Sequence, residues 1–92
     1  MSVLLVSYDL DAPNRNYDQL YEKIKSYGAW AHALESVWLI DTSSDPADVR
    51  DDLKKVLDSG DQLLVIRLHE HWATNFSDKI TKWMKSTDRT WD

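Results

Sequence analysis

The feature that most limits the fold of this chain is the alternation of β-rich runs with helical stripes inside 92 residues. Ser2 to Tyr8 has apolar residues at both odd and even positions, which is typical of a central strand covered on at least one face. An amphipathic helix follows, with a stripe at the i, i+3, i+4, i+7 spacing: Tyr17, Leu20, Tyr21, Ile24 and Tyr27. Asn16 is its expected N-cap, with Gln19 in the reciprocal capping-box position, and Gly28 is expected to end it.

The middle of the chain predicts two extended pieces and a second helix. In residues 29–34 larger side chains alternate with alanines, and Ser36 to Ile40 is rich in β-formers. Asp45 is the expected N-cap of the next helix, because Pro46 then takes the first helical position, where its missing N–H costs least. Apolar residues at helical spacing continue this helix towards Gly60.

A third apolar strand is predicted at Gln62 to Leu68, and a last helix is marked by Phe76, Ile80, Trp83 and Met84. The order predicts a ferredoxin-like βαββαβ fold: a four-stranded antiparallel sheet, two helices on one face, and an extra C-terminal helix. Residues 1–86 would form one domain, and residues 87–92 a frayed tail. The alternative is a three-stranded parallel α/β sandwich in which residues 29–34 form a loop.

Composition excludes several kinds of site. There is no cysteine, so disulfides, thiolate nucleophiles and Cys-based zinc sites are ruled out. The net charge of −5 argues against a general nucleic-acid coat, since such binding is driven by many Lys and Arg contacts to phosphates. The N-terminal segment MSVLLVSYDL has no basic region, and its apolar run stops at Asp9, so we expect no signal peptide, no membrane partner and a cytoplasmic location.

Several short motifs occur in a characteristic order: Tyr8–Leu10, Asn16–Leu20, Ile24–Gly28, Leu34–Ile40, Val49–Asp51 and Asp61–Val65. Over about residues 1 to 72 the chain thereby resembles the SinR-like proteins, small relatives of the CRISPR-associated adaptation subunit Cas2, and more distantly the VapD-type ribonucleases. The resemblance implies a ferredoxin-like fold, usually homodimeric. In the CRISPR subunits the aspartate ending the first strand lies near the dimer axis, where two copies can share a divalent cation. Asp9 matches that position.

The resemblance also implies functions and shows departures. The CRISPR subunits are described as metal-dependent nucleases and as a scaffold that binds DNA beside an integrase. The acidic balance of this chain weakens a scaffold role. Its last stretch is predicted to be a helix, unlike the extended tail through which those subunits pair.

Asp9 and Asp11 are the candidate metal ligands, with Mg²⁺ or Mn²⁺ as the expected ion. A strand end supports a side chain rigidly while leaving it exposed, and magnesium prefers carboxylate and water oxygens. Asp9 is also the candidate catalytic residue, since paired copies in a dimer would make a two-carboxylate site. The structural alternative is that Asp9 accepts hydrogen bonds from loop N–H groups around Asn14 and Arg15.

Tyr8, Arg15 and Ser36 are candidate phosphate contacts, and Trp30 is a candidate stacking platform for bases. The structural alternatives are an exposed charge for Arg15, a turn residue for Ser36 and a packed side chain for Trp30. His69 and His71 are two residues apart and have no further ligand at zinc-motif spacing, so a metal role is not favoured for them. His32 is expected at a sheet edge or a dimer contact.

These candidates support three functions. The first is a dimeric, metal-dependent nuclease or phosphodiesterase acting on RNA, DNA or small oligonucleotides through Asp9. The second is a dimeric binding module for a nucleotide, oligonucleotide or protein, without turnover. The third is a structural dimer within a defence or toxin–antitoxin assembly. The alternatives stay open at the level of the sequence.

Overall fold

The computed structural model describes residues 1–11 and 17–91 of the chain. Their elements, in chain order, are β1 (Ser2–Asp9), α1 (Asp18–Lys25), β2 (Ala29–Leu34), β3 (Val37–Thr42), α2 (Pro46–Lys54), β4 (Gln62–Arg67) and α3 (Asp78–Lys85). The strands form one antiparallel sheet in the order β2-β3-β1-β4. The prediction of a four-stranded antiparallel sheet in a mixed α+β chain is confirmed.

The three-stranded parallel alternative is wrong, because residues 29–34 form a strand and not a loop. β2 pairs with β3 from Ala29, opposite Asp41, to Leu34, opposite Val37. Gly28 makes the turn into β2 with a φ of 125°, a conformation that L side chains rarely adopt.

The helix boundaries follow local chemistry with some shifts. The predicted Asn16 cap lies outside the described residues, and Tyr17 is the residue before α1, without a side-chain capping hydrogen bond. Asp45 precedes α2 and Pro46 begins it, as predicted, although the Asp45 carboxylate makes no capping bond. In α3 the Ser77 hydroxyl oxygen accepts from the Ile80 N–H at 3.4 Å.

Two hydrophobic clusters cover the two faces of the sheet. Even-numbered side chains of β1 face α1 and α2, in a buried cluster made of Leu4, Val6, Tyr8, Tyr17, Leu20, Ile24, Trp38, Ile40, Val49 and Leu53. Odd-numbered side chains face α3, in a smaller cluster made of Val3, Ala31, Leu39 and Met84. α3 contacts β2, so it covers the β2–β3 side of its face.

Residues near the C-terminus also contact this second face. The Thr90 N–H donates to Oδ2 of Asp41 at 2.7 Å, and the Trp91 indole N–H donates to the Met84 carbonyl at 3.0 Å. The domain boundary at residue 86 and the fraying of the last residues stay predictions. No helix in the described part of the chain has the length and hydropathy needed to cross a membrane.

Candidate metal and phosphate site

Asp9 is the last residue of β1, the strand that is paired on both sides in the sheet. Its Cα partner is Gln62 at the start of β4, and its side chain is exposed. It lies on the sheet face opposite α1 and α2, in a shallow groove of about 220 Å³ that Ser7 and Leu64 also line. A carboxylate in this place has a rigid support and access to solvent. Both properties favour its use as a metal ligand.

Asp11 is exposed and is fixed through its backbone by a residue that is distant in sequence. Its N–H donates to Oδ1 of Asp61 at 2.7 Å, and the Tyr17 hydroxyl donates to the same oxygen at 3.1 Å. The other oxygen, Oδ2, accepts from the Asp58 N–H at 2.8 Å. One carboxylate therefore joins the described residues on both sides of residues 12–16 to the connection between α2 and β4.

Gly60 gives the Asp11 side chain its space in this arrangement. A Cβ atom at position 60 would lie 2.5 Å from Oδ2 of Asp11. The sequence predicted Gly60 only as the end of a helix. Its second role, making room for an acidic side chain of the first loop, depends on the tertiary fold.

Tyr8 is buried beside Asp9, and its hydroxyl is bonded within the protein. It accepts from the Trp38 indole N–H at 3.0 Å and donates to the Glu35 carbonyl oxygen at 3.2 Å. Burial is the main cause that raises the pKa of Tyr8 to about 12, so the phenol is neutral at physiological pH. These bonds hold the turn between β2 and β3 next to the end of β1. Contact of Tyr8 with a substrate stays a prediction.

Ser36 lies in that turn and is exposed. Its carbonyl oxygen accepts from the Tyr8 N–H at 3.2 Å, which places Ser36 at the same end of the sheet as Asp9. Arg15, the other expected phosphate contact, lies outside the described residues. The structure therefore brings together the positions of Asp9, Asp11 and Ser36.

Trp30 belongs to a different surface. Its position in β2 is opposite Ile40, which in turn is opposite Leu4 of β1, five residues before Asp9. At strand rise this separation is about 17 Å along β1. Trp30 is 40% exposed, and the Lys25 ammonium lies 5.1 Å from the centre of its ring.

An aromatic row continues inwards from Trp30 along this edge. The Trp30 ring is 5.4 Å from that of Trp38, and the His32 ring is stacked on Trp38 with a centroid distance of 3.9 Å. The ring of Tyr21 also packs against Trp38, with a centroid distance of 5.8 Å. His32 is exposed in β2, an outer strand of the sheet, as its sequence context predicted.

His69 and His71 follow β4 and are exposed. Among residues 1–11 and 17–91, no group of three or more His, Cys, Asp or Glu side chains is arranged to hold an ion.

The sheet face that carries Asp9 has an uncovered apolar strip on β4. Leu64 is 56% exposed and Ile66 is 46% exposed, and their partners in β1 are Ser7 and Leu5. Neighbouring apolar residues exposed on an outer strand are typical of a surface that another chain covers.

The chain matches a family model over most of its length. The model described as CRISPR associated protein Cas2 matches residues 1–76, from β1 through β4 to a point before α3. No solved structure is found to match the chain.

Proposed function

The chain belongs to the CRISPR associated protein Cas2 family, and we propose that it is a homodimeric, metal-dependent nuclease or phosphodiesterase. Family membership makes it a CRISPR adaptation-subunit-like protein of a defence system. The proposed substrates are RNA, DNA or small oligonucleotides in the cytoplasm. The observation that carries the proposal is the exposed Asp9 carboxylate at the end of a strand paired on both sides.

The finer family and fold assignments belong to the same proposal. The antiparallel order β2-β3-β1-β4, with α1 and α2 on one face, supports a ferredoxin-like fold. The motifs around Tyr8–Leu10 and Asp61–Val65 support a SinR-like branch, with VapD-type ribonucleases as more distant relatives. α3 lies beyond the matched residues and is the main departure.

The dimer is supported by the strip formed by Leu64 and Ile66. A two-fold interface is self-complementary, so the same patch on two copies can cover itself. Covering this strip would remove exposed apolar area from water, which favours association by about 25 cal/mol per Å² before the costs of binding are subtracted. Asp9 lies at the end of the same face, so a second copy on the strip would lie close to this carboxylate.

The donor set of the proposed site fits a hard divalent cation. Mg²⁺ usually keeps several waters and takes one or two protein carboxylates, so one Asp9 from each protomer would be sufficient. When bound, Mg²⁺ or Mn²⁺ would supply Lewis-acid charge to the scissile phosphate. In the proposed arrangement Asp9 would hold the cation, and Asp11 would follow on the backbone that Asp61 anchors. Ser36, exposed in the turn at the same end of the sheet, would donate its hydroxyl to a phosphate oxygen.

Replacement of Asp9 by asparagine tests the proposal, with Asp45→Asn as the matched control. Both residues are exposed, and Asp45 makes no side-chain capping bond. We expect Asp9→Asn to abolish Mg²⁺-dependent cleavage of oligonucleotides and to change unfolding free energy by no more than about 0.5 kcal/mol, as is usual for surface substitutions. Asp45→Asn should cleave normally. Undiminished cleavage by Asp9→Asn, or a strictly monomeric wild-type protein in sedimentation, would refute this function.

The second candidate is a non-catalytic dimer that binds a nucleotide, oligonucleotide or protein in a defence or toxin–antitoxin assembly. It is favoured by Trp30, which is exposed on the outer strand β2 and has the Lys25 ammonium close to its ring. Stacking of a base on such a ring contributes about 1–3 kcal/mol. Under this function, oligonucleotide binding in EDTA is saturable without turnover and weakens at least fivefold in Trp30→Ala. Leu34→Ala, which alters an exposed apolar residue at the other end of β2, should leave binding unchanged.

A further inference from the structure

A groove lies between the C-terminal half of α2 and the start of β4. Its volume is about 500 Å³, and it is open to solvent. The lining side chains are a mixture of basic, acidic and neutral groups: Arg50, Lys54, Leu57, Asp58, Ser59, Asp61, Gln62 and Leu63.

This groove meets the one that contains Asp9 at the start of β4, the outer strand of the sheet. Gln62 and Leu63 line both of them, and Gln62 is the Cα partner of Asp9 across β1 and β4. A linear ligand that runs from the Asp9 carboxylate to α2 would pass Gln62 and cross the outer edge of the sheet at the start of β4.

Two cations of α2 face this path. Arg50 and Lys54 are four residues apart, so they share one face of the helix. Within residues 1–11 and 17–91, the Lys54 ammonium has neither an ion-pair nor a hydrogen-bond partner. The Arg50 Nε donates to Oδ1 of Asp51 at 2.9 Å in an exposed pair, which leaves the remaining guanidinium donors for a ligand.

The acidic members of the groove limit its affinity for anions. Asp61 accepts hydrogen bonds from Asp11, Tyr17 and Asp58 within the described residues, and Asp58 contributes one further negative charge beside the two cations. The groove is therefore suited to an anion held by two discrete contacts. It is not suited to the dense positive field of a general nucleic-acid coat, which agrees with the net charge of −5.

We propose that Arg50 and Lys54 bind backbone phosphates of a nucleic-acid strand whose scissile phosphate lies at Asp9. The inference rests on the proposed nuclease function and adds the path of the substrate. Arg50 offers the paired donors that match a phosphate, and Lys54 contributes a point charge one helical turn further along. The ligand chemistry is a phosphodiester backbone, which RNA and DNA share.

The test is metal-free binding measured as a function of salt. Fluorescein-labelled single-stranded RNA and DNA of about 12 nucleotides, within the range that small single-strand binding sites cover, are titrated in EDTA between about 50 and 200 mM NaCl. The variant is Arg50→Gln/Lys54→Gln. The control, Lys79→Gln/Lys82→Gln, removes the same charge from exposed positions on α3, on the other side of the sheet.

We expect the slope of log K against log salt to fall by about 1.4 in the α2 variant, since each lost single-strand phosphate contact removes about 0.7. The α3 control should keep the wild-type slope. In metal-dependent cleavage the α2 variant should raise KM with little change in kcat, because both residues bind the strand away from the reacting phosphate. Similar effects with both oligonucleotides indicate backbone recognition, and an effect with one of them assigns the groove to that nucleic acid.

Three results would overturn the inference: no binding of either oligonucleotide by the unaltered protein, an unchanged slope in the α2 variant, or an equal fall in the α3 control. The Asp9→Asn protein separates this inference from the nuclease proposal. Because binding is measured without metal, Asp9→Asn should keep the wild-type salt slope. If it also cleaves normally, the nuclease site is wrong, while the slopes still decide whether Arg50 and Lys54 bind phosphates.

Discussion

Replacing Tyr8 by phenylalanine tests how the end of the central strand is fixed. The hydroxyl accepts from the Trp38 indole N–H and donates to the Glu35 carbonyl oxygen. The substitution keeps the ring, which is only 7% exposed, and removes one oxygen. Because Trp38 is 2% exposed, its indole N–H would be left without an acceptor and without water. The Glu35 carbonyl keeps a second contact, 3.1 Å from Nε2 of His32.

The expected loss follows from these two groups. A buried donor without a partner costs about 1–3 kcal/mol, and the carbonyl adds little because it keeps a contact, so we expect a loss of about 2 kcal/mol. For a domain of about 60–100 residues, each kcal/mol lowers Tm by about 4–8 °C, so Tyr8→Phe should melt about 10 °C lower.

Thermal and urea unfolding followed by circular dichroism measure this loss, and Tyr27→Phe is the matched comparison. The Tyr27 hydroxyl donates to Asp52 at a half-buried position, and Asp52 keeps its bond from Lys23, so the loss should stay below about 1 kcal/mol. If Tyr8→Phe is no less stable than Tyr27→Phe, the hydroxyl of Tyr8 does not hold this end of the sheet.

Alkaline pH gives an independent check on the same residue. Burial raises the pKa of Tyr8 to about 12, above the ordinary value of about 10. A group with a raised pKa in the folded state contributes its full stabilisation below the unfolded value and loses it as the pH rises through the folded value. The difference in unfolding free energy between wild type and Tyr8→Phe should therefore decrease between about pH 10 and 12. A constant difference would contradict the burial of a neutral phenol.

Two further predictions concern the backbone and the acid limb. Gly28→Ala should lower the free energy of unfolding by about 1–3 kcal/mol, because φ is positive there and a Cβ would lie 3.0 Å from the Asp41 carbonyl oxygen; an unchanged urea midpoint would contradict this. Hydrogen bonds from Tyr27 and then Lys23 lower the pKa of Asp52, so its contribution is present above about pH 4 and is lost as the pH falls through the lowered value. Asp52→Asn should therefore make the free energy of unfolding less dependent on pH in the acid range. At neutral pH it should cost less than about 1 kcal/mol, since the Asp52 side chain is 32% exposed. An unchanged pH dependence in urea unfolding at acid pH would refute this.

The order of elements could be predicted because each element carries its own local signal. The short strand β2 was recognised from the alternation of large residues with alanines, and the start of α2 from Asp45 followed by Pro46. The C-terminal end of α2 was predicted too late. Val56 and Leu57 continue the apolar stripe because they pack against the core, yet their N–H groups bond three residues back, in tight turns that follow the end of the helix at Lys54.

The candidate site was predictable only where one residue carries the signal. Asp9 could be selected because an apolar strand ends there, and the structure places it at that end with an exposed side chain. The anchoring role of Asp61 could not be predicted, since it acts on Asp11 across 50 positions of sequence. The groove beside Arg50 and Lys54 could not be predicted, because nothing local in the sequence indicates that β4 begins beside them.

The exposure of β1 along the α3 face connects the proposed dimer with the proposed site. Val3 is fully buried beneath α3, Leu5 and Ser7 are half-buried, and Asp9 is exposed. The cover that α3 provides therefore decreases towards the end of β1 that carries the carboxylate. A partner that completes this cover must lie on the open end, because the other end is already occupied by the chain itself. In the proposed dimer the partner is a second copy that covers this end of the face and brings a second Asp9 towards the first, so association and metal binding should depend on each other. Addition of Mn²⁺ should then shift the sedimentation equilibrium of wild type towards the dimer and leave that of Asp9→Asn unchanged, whereas an equal shift in both proteins would separate the interface from the carboxylate.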